Sequence, residues 1–170
     1  MSTHIEFQQW ATAPLERVFP FFADPRNLPR IMPPASGTRL VELRLKLVPA
    51  GGMGKSTSET LAGVGSEIVT SFRLLPFLPF RARWTALITE FQWDHHFADI
   101  QKEGPFKSFH HRHEFAAETR GGTNGTIVKD VIDYEVGFGF PGELAGRSFV
   151  LRQLRSTFAY RQQALAKLLG

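Results

Sequence analysis

Hydrophobic and polar positions alternate at period two through most of the chain and switch to period 3.6 only near its end. Thr3–Ala11 alternates His4, Glu6, Gln8 and Trp10 with Ile5, Phe7 and Gln9, and reads as a first strand. Pro14 then opens a helix over Leu15–Phe22, with Val18, Phe19 and Phe22 on one face. A second short helix runs from Asp24–Pro25, with Asp24 as N-cap, to Ile31, and Pro33–Pro34 ends it. Strands are predicted over Arg39–Val48, Ser66–Leu75, Arg81–Trp93, Phe97–Glu103, Phe106–Ala117 and Gly125–Val136. Turn chemistry separates them at Pro76/Pro79, Asp94–His95, Gly104–Pro105 and Gly121–Gly122–Thr123–Asn124–Gly125. From Gly142 to Leu169 a stripe of Leu144, Leu151, Leu154, Phe158, Leu165 and Leu168 predicts one long amphipathic helix. An antiparallel sheet of this size must bury one face, and a single long helix across its concavity does so.

Three consecutive strands carry an unusual inner face. Phe97/Asp99/Gln101, Phe109/His111/His113/Phe115 and Val128/Asp130/Ile132/Tyr134 mix aromatic and polar groups on the side that must be buried. The opposite side, His110/Arg112/Glu114 and Lys129/Asp133/Glu135, is an ordinary solvated face. Each polar group buried without a partner costs roughly 2–7 kcal/mol, so the inner set either bonds within itself or lines a cavity. A hairpin turning at Gly121–Asn124 puts His113 opposite Asp130, His111 opposite Ile132, Phe109 opposite Tyr134 and Phe115 opposite Val128. A short Asp94–Phe97 loop puts Glu90 across from Gln101 and Gln92 across from Asp99. The expected floor is therefore Glu90, Gln92, Asp99, Gln101, His111, His113, Asp130 and Tyr134, rimmed by Trp84, Phe97, Phe109 and Phe115.

Composition narrows the function classes. The 170 residues are 42% hydrophobic and 21% charged, which suits one globular domain over 1–170 with a full core. The absence of cysteine excludes disulfides and thiolate-bound metals. Sixteen phenylalanines against two tyrosines suit a roomy apolar interior. The net charge of +4 comes from scattered residues. The nearest basic cluster, Arg147, Arg152, Arg155 and Arg161 on the last helix, is expected to be a solvated face, so no nucleic-acid contact is expected. The start Met1–Ser2–Thr3–His4–Ile5–Glu6 shows no signal peptide, and no apolar run reaches the ~20 residues of a membrane span. Stable membrane insertion is not expected, and a bacterial cytoplasmic location is the default. Gly51–Gly52–Met53–Gly54–Lys55–Ser56 lacks the first glycine of a phosphate loop, Pro49 standing there, and is expected to be a mobile loop at the cavity mouth. His95–His96 is expected in an exposed turn.

The element order, with Phe22–Ala23–Asp24–Pro25, Leu28, Ile31, Trp84 and Ile88, resembles the helix-grip (Bet v1/START-like, SRPBCC) superfamily. The resemblance extends through Phe97–x–Asp99–x–Gln101–x–x–Gly104–Pro105–Phe106, His111–x–His113–x–Phe115, Gly125–Thr126–x–x–x–Asp130–x–x–x–Tyr134, Pro141–Gly142 and Phe158–Ala159–Tyr160–Arg161. Its polyketide cyclase/dehydrase-like, coenzyme-Q-binding-like and CoxG-like branches are the most similar. Phe109 departs from the tryptophan more usual there, and Gly65–Ser66 stands where Gly–Thr is expected. The resemblance implies an α+β fold in which about seven curved antiparallel strands wrap a long C-terminal helix, with two short helices after the first strand. It also implies a deep cavity for a hydrophobic or amphipathic small molecule, without fixing a reaction.

The ligand-binding set is thus Trp84, Glu90, Phe97, Asp99, Gln101, Phe109, His111, His113, Phe115, Asp130 and Tyr134. As a satisfied network, Asp130 would accept from His113 while Gln101 bridges to Asp99. As a catalytic set, Asp130 would orient His113 as a base next to a carbonyl, and Tyr134 would donate to the developing enolate, as a cyclase or dehydratase requires. Two imidazoles and a carboxylate on one face could also hold a metal ion. His–x–His on a strand is common, however, and the resemblance implies no metal, so none is expected, nor any cofactor. Binding or carriage of a small molecule is the leading expectation, the enzyme second, and an accessory protein docking on a partner third. A homodimer is compatible with the sequence and not required by it.

Overall fold

A computed structural model describes residues 2–51, 58–73, 80–137 and 143–170, with backbone only at 143–145. The strands are β1 (Thr3–Ala11), β2 (Arg39–Arg44), β3 (Glu67–Phe72), β4 (Ala82–Gln92), β5 (His96–Glu103), β6 (Phe106–Arg120) and β7 (Thr123–Val136). They form one antiparallel sheet in the order β1-β7-β6-β5-β4-β3-β2. The chain therefore crosses from one edge to the other between β1 and β2. That crossing is made by α1 (Leu15–Ala23) and 3-10 turns at Pro25–Ile31 and Pro34–Ser36. The second predicted helix is thus a 3-10 segment, and Asp24 caps it as expected by accepting from the Arg26 amide at 3.0 Å. Two prolines within seven residues, Pro25 and Pro29, remove backbone donors and keep the segment tight and short. The long helix α2 (Glu143–Leu169) packs back on β1, β7 and the first 3-10 turn.

The β6–β7 hairpin turns on Gly121 and Gly122, with φ of +56° and +80°, conformations that only glycine adopts cheaply. This two-residue turn sets the expected register: His113 opposite Asp130, His111 opposite Ile132, Phe109 opposite Tyr134 and Phe115 opposite Val128. The β4–β5 register differs from expectation. Trp93–Asp94–His95 makes a tighter turn, with Asp94 at φ +54°, so Gln92 pairs with His96 and Glu90 with Ala98. An odd slip moves side chains to the other face. A bulge between Ile88 and Glu90 then restores the inward face, leaving Ile88 opposite Asp99.

Two larger clusters fill the interior. Phe19 of α1 meets Phe91, Phe97 and Phe115 edge to face, with centroids 5.1–6.1 Å apart. At the other end, Phe7 of β1 stacks on Phe158 of α2 at 4.1 Å, beside buried Ile132, Tyr134 and Val150. Strand β2 ends at Arg44, short of the expected Val48, which makes an isolated bridge to Ser58. The expected loop at Gly51–Ser56, the Pro76/Pro79 turn and the Pro141–Gly142 start of α2 fall wholly or largely outside the described residues. Among the described residues no helix is long and apolar enough to cross a membrane.

Candidate functional site

Between the two clusters the sheet and helix stand apart and leave a cavity of about 420 Å³ that is partly open to solvent. Its walls are apolar: Trp84, Phe97, Phe109 and Ile88 from the sheet, Leu154 and Phe158 from α2. Trp84 meets Phe109 edge to face at 4.7 Å, which fixes both rings. The polar part of the lining includes Asp99, His111, His113 and Arg161.

These groups are organised by Asp130, which is buried behind them. His111 Nε2 donates to Asp130 Oδ1 at 2.9 Å. His113 Nδ1 reaches the same oxygen at 2.7 Å, off the axis of a linear hydrogen bond. Arg161 Nη1 stands 3.5 Å from that oxygen too. Burial by itself would raise the Asp130 carboxyl, but His113, the donated hydrogen bonds and Arg161 outweigh it and hold it well below the usual carboxylate range. An ionised carboxylate only accepts, so His111 carries its proton on Nε2. Burial, and next the neighbouring His113, push His111 down to about 4 against the pull of Asp130. It is therefore neutral at pH 7. Burial also raises the Asp99 carboxyl, with His111 opposing.

Arg161 is the residue that sequence reasoning misassigned. It is 6% exposed, lies 4.6 Å over the Phe158 ring and points Nη2 at the Met32 sulfur. Its Nε has no hydrogen-bond partner among the described residues. Arg152 and Arg155 are exposed as expected. The signal was present in the apolar stripe itself: Arg161 lies three residues after Phe158 and four before Leu165, on the buried seam.

Of the expected set, Trp84, Phe97, Asp99, Phe109, His111 and His113 line the cavity, and Asp130 supports them. Five residues do not line it. Glu90 is on the outer face, paired with Arg112 and with His96 at 3.2 Å, and Gln92 shares that face. Gln101 does not bridge to Asp99. Its amide closes the β5–β6 turn, donating to the Phe106 carbonyl at 2.8 Å and accepting from the Phe106 amide at 3.1 Å. Phe115 packs into the Phe19 cluster, and Tyr134 is fully buried among Phe106, Phe109 and Ile132. His95 is exposed, whereas His96 belongs to β5 with its side chain only 13% exposed.

A helix gripped by a curved antiparallel sheet, with a cavity between them, is an architecture other proteins share. The family model described as polyketide cyclase / dehydrase and lipid transport matches residues 11–162. The chain belongs to that family. No curated protein sequence matches it. Among solved structures, a START superfamily protein from Mycobacterium smegmatis superposes with a TM-score of 0.64 at 12% identity, covering 98% of this chain and 96% of that one. The protein TTHA0849 from Thermus thermophilus gives 0.63 at 17% identity over 97% and 95%. A major latex-like protein 151 from Panax ginseng gives 0.54 at 16% over 94% and 97%. At such identities these likenesses show the helix-grip fold. The function of this member of the polyketide cyclase/dehydrase and lipid transport family has to be argued from its own cavity.

Proposed function

We propose that this protein binds an amphipathic small molecule between sheet and helix, its apolar body against Trp84 and Phe109 and an oxygen-bearing end at Arg161. The carrying observation is a mostly apolar cavity of about 420 Å³ lined on its polar side by a buried guanidinium whose Nε has no hydrogen-bond partner among the described residues. The volume falls within the roughly 300–1,000 Å³ of small-molecule sites. A buried donor without a partner is costly, so a ligand oxygen that accepts from Arg161 gains what the unliganded protein forgoes. The family description, which names lipid transport, supports the same reading.

A second reading has its own support. His113 lines the cavity with Asp130 at its Nδ1, and an imidazole backed by a carboxylate is the arrangement of a general base. In a cyclase or dehydratase, Arg161 rather than Tyr134 would stabilise the developing enolate, because Tyr134 does not line the cavity.

The test uses two fluorescent probes of similar bulk, anilinonaphthalene sulfonate and the uncharged phenylnaphthylamine. Both should bind the wild type, and Arg161→Met should weaken the sulfonate about tenfold or more while sparing the neutral probe. Equal effects on both probes refute the polar-end assignment, and no binding of either refutes the cavity. Native mass spectrometry of protein from its own host would then identify the ligand. Turnover of that compound, abolished in His113→Gln with binding retained, would decide for the enzyme.

A further inference from the structure

We propose that Asp99, His111 and His113 form a binding site for a divalent transition-metal ion, with Asp130 as the carboxylate that orients both histidines. The proposal is independent of the small-molecule reading and reverses the sequence expectation of no metal. The donor atoms of these three residues all lie within 4.8 Å of one another. Asp99 and His111 are directly opposed on β5 and β6, and His113 is the next inward residue of β6. Backbone pairing therefore holds the set together, without reliance on a loop.

A supporting carboxylate completes the geometry. Asp130 stands against one nitrogen of each ring and does not itself line the cavity, whereas both imidazoles do. Each ring offers one further nitrogen, His111 Nδ1 and His113 Nε2, beyond the one nearest Asp130. A carboxylate behind a metal-bound histidine is the usual device for fixing its ring and raising its basicity. Here one carboxylate serves two rings whose centroids are 3.9 Å apart.

An ion held by these three side chains would keep an open position for an oxygen of a ligand or hydroxide. Two imidazoles and a carboxylate suit Zn²⁺, Co²⁺, Ni²⁺ or Fe²⁺ rather than Mg²⁺ or Ca²⁺. Ligand bonds of about 2.0–2.1 Å put tetrahedral donor atoms about 3.3 Å apart, so side chains as much as 4.8 Å apart would close in by about an ångström or more.

The experiment is titration of the chelator-stripped full chain with Co²⁺ and Zn²⁺, read by the visible d–d spectrum and by calorimetry. One equivalent should bind with a dissociation constant of about 1 μM or tighter and an intense tetrahedral-type band. Asp99→Asn, which leaves the His–Asp130 contacts in place, should weaken Zn²⁺ at least tenfold and change the Co²⁺ band. Asp130→Asn should weaken it about 10–100-fold, as loss of an orienting carboxylate does. His95→Gln/His96→Gln, which removes the neighbouring outer-face histidines, should change nothing. Overturning results are the absence of stoichiometric binding, binding indifferent to Asp99→Asn, or binding abolished by the His95/His96 variant. Circular dichroism confirms that each variant is folded, so a loss of binding reports on the site.

Discussion

Asp130→Ala tests the charge architecture of the cavity floor most directly. Asp130 is 4% exposed, and Arg161, whose Nη1 lies 3.5 Å away, is 6% exposed. Deleting the carboxylate strands the guanidinium in an apolar setting, because burial already favours the neutral form of Asp99, the other nearby acid. Breaking a buried pair in this way costs about 3–5 kcal/mol, and the hydrogen bond from His111 is part of that sum. The loss is a large share of a typical stability of about 5–15 kcal/mol. Asp130→Ala/Arg161→Met should recover most of it, since apolar replacements of a buried pair are often neutral or stabilising. Urea unfolding of the four proteins gives the coupling energy, expected to be at least about 2 kcal/mol. A loss below about 1 kcal/mol, or strict additivity, would show that Asp130 and Arg161 do not compensate one another and would refute this account of the floor.

Other outcomes follow from neighbouring features. Ala86 lines the cavity on β4, so Ala86→Trp should fill it and abolish probe binding while costing no more than about 3 kcal/mol; retained binding would place the probe elsewhere. His111 has a depressed folded pKa, so the unfolded chain binds the proton more readily. Stability of chelator-treated protein should therefore fall as pH drops from about 6.5 to about 4, by up to roughly 3 kcal/mol, and the fall should shrink in His111→Gln. Asp130, with its lowered pKa, adds loss only below the ordinary carboxylate range. Gln101→Ala removes both hydrogen bonds that close the β5–β6 turn and should cost about 1–2 kcal/mol with little change in probe affinity. A large affinity change instead would restore Gln101 to the site.

The fold was legible because its signals are local and repeated: alternation, a glycine pair at a hairpin, and a late change of period. The same glycines made the His–Asp pairing readable, since a two-residue turn admits one register. Glu90 was misplaced because the β4–β5 turn depends on a left-handed aspartate, Asp94, and the ladder beyond it on a bulge. Neither leaves a periodic trace in the sequence. Arg161 was misplaced for another reason. Its charge was weighed with the helix's exposed arginines, although its spacing puts it on the apolar seam. Tyr134 and Phe115 had the right face but the wrong end of the sheet, because alternation reports a side and says nothing of what fills the space above it. Cavity volume depends on how far the helix stands from the sheet, and no single segment encodes that distance.

The buried polar cluster argues for use rather than for stability. Apolar residues of similar volume in place of a buried ion pair commonly hold a fold as well or better, so the cluster is not required to hold sheet and helix together. A register-setting role would need one matched pair, and Asp130 with His111 supplies it. The surplus is what such a role leaves unexplained. His113 competes for an oxygen already taken, Asp99 is held where its carboxyl is raised, and Arg161 keeps a nitrogen without a partner among the described residues. Each of these groups borders the cavity, where an occupant could meet it. A protein selected only to fold would lose them at little cost. Their convergence on one cavity of about 420 Å³ is the physical reason to look for what fills it.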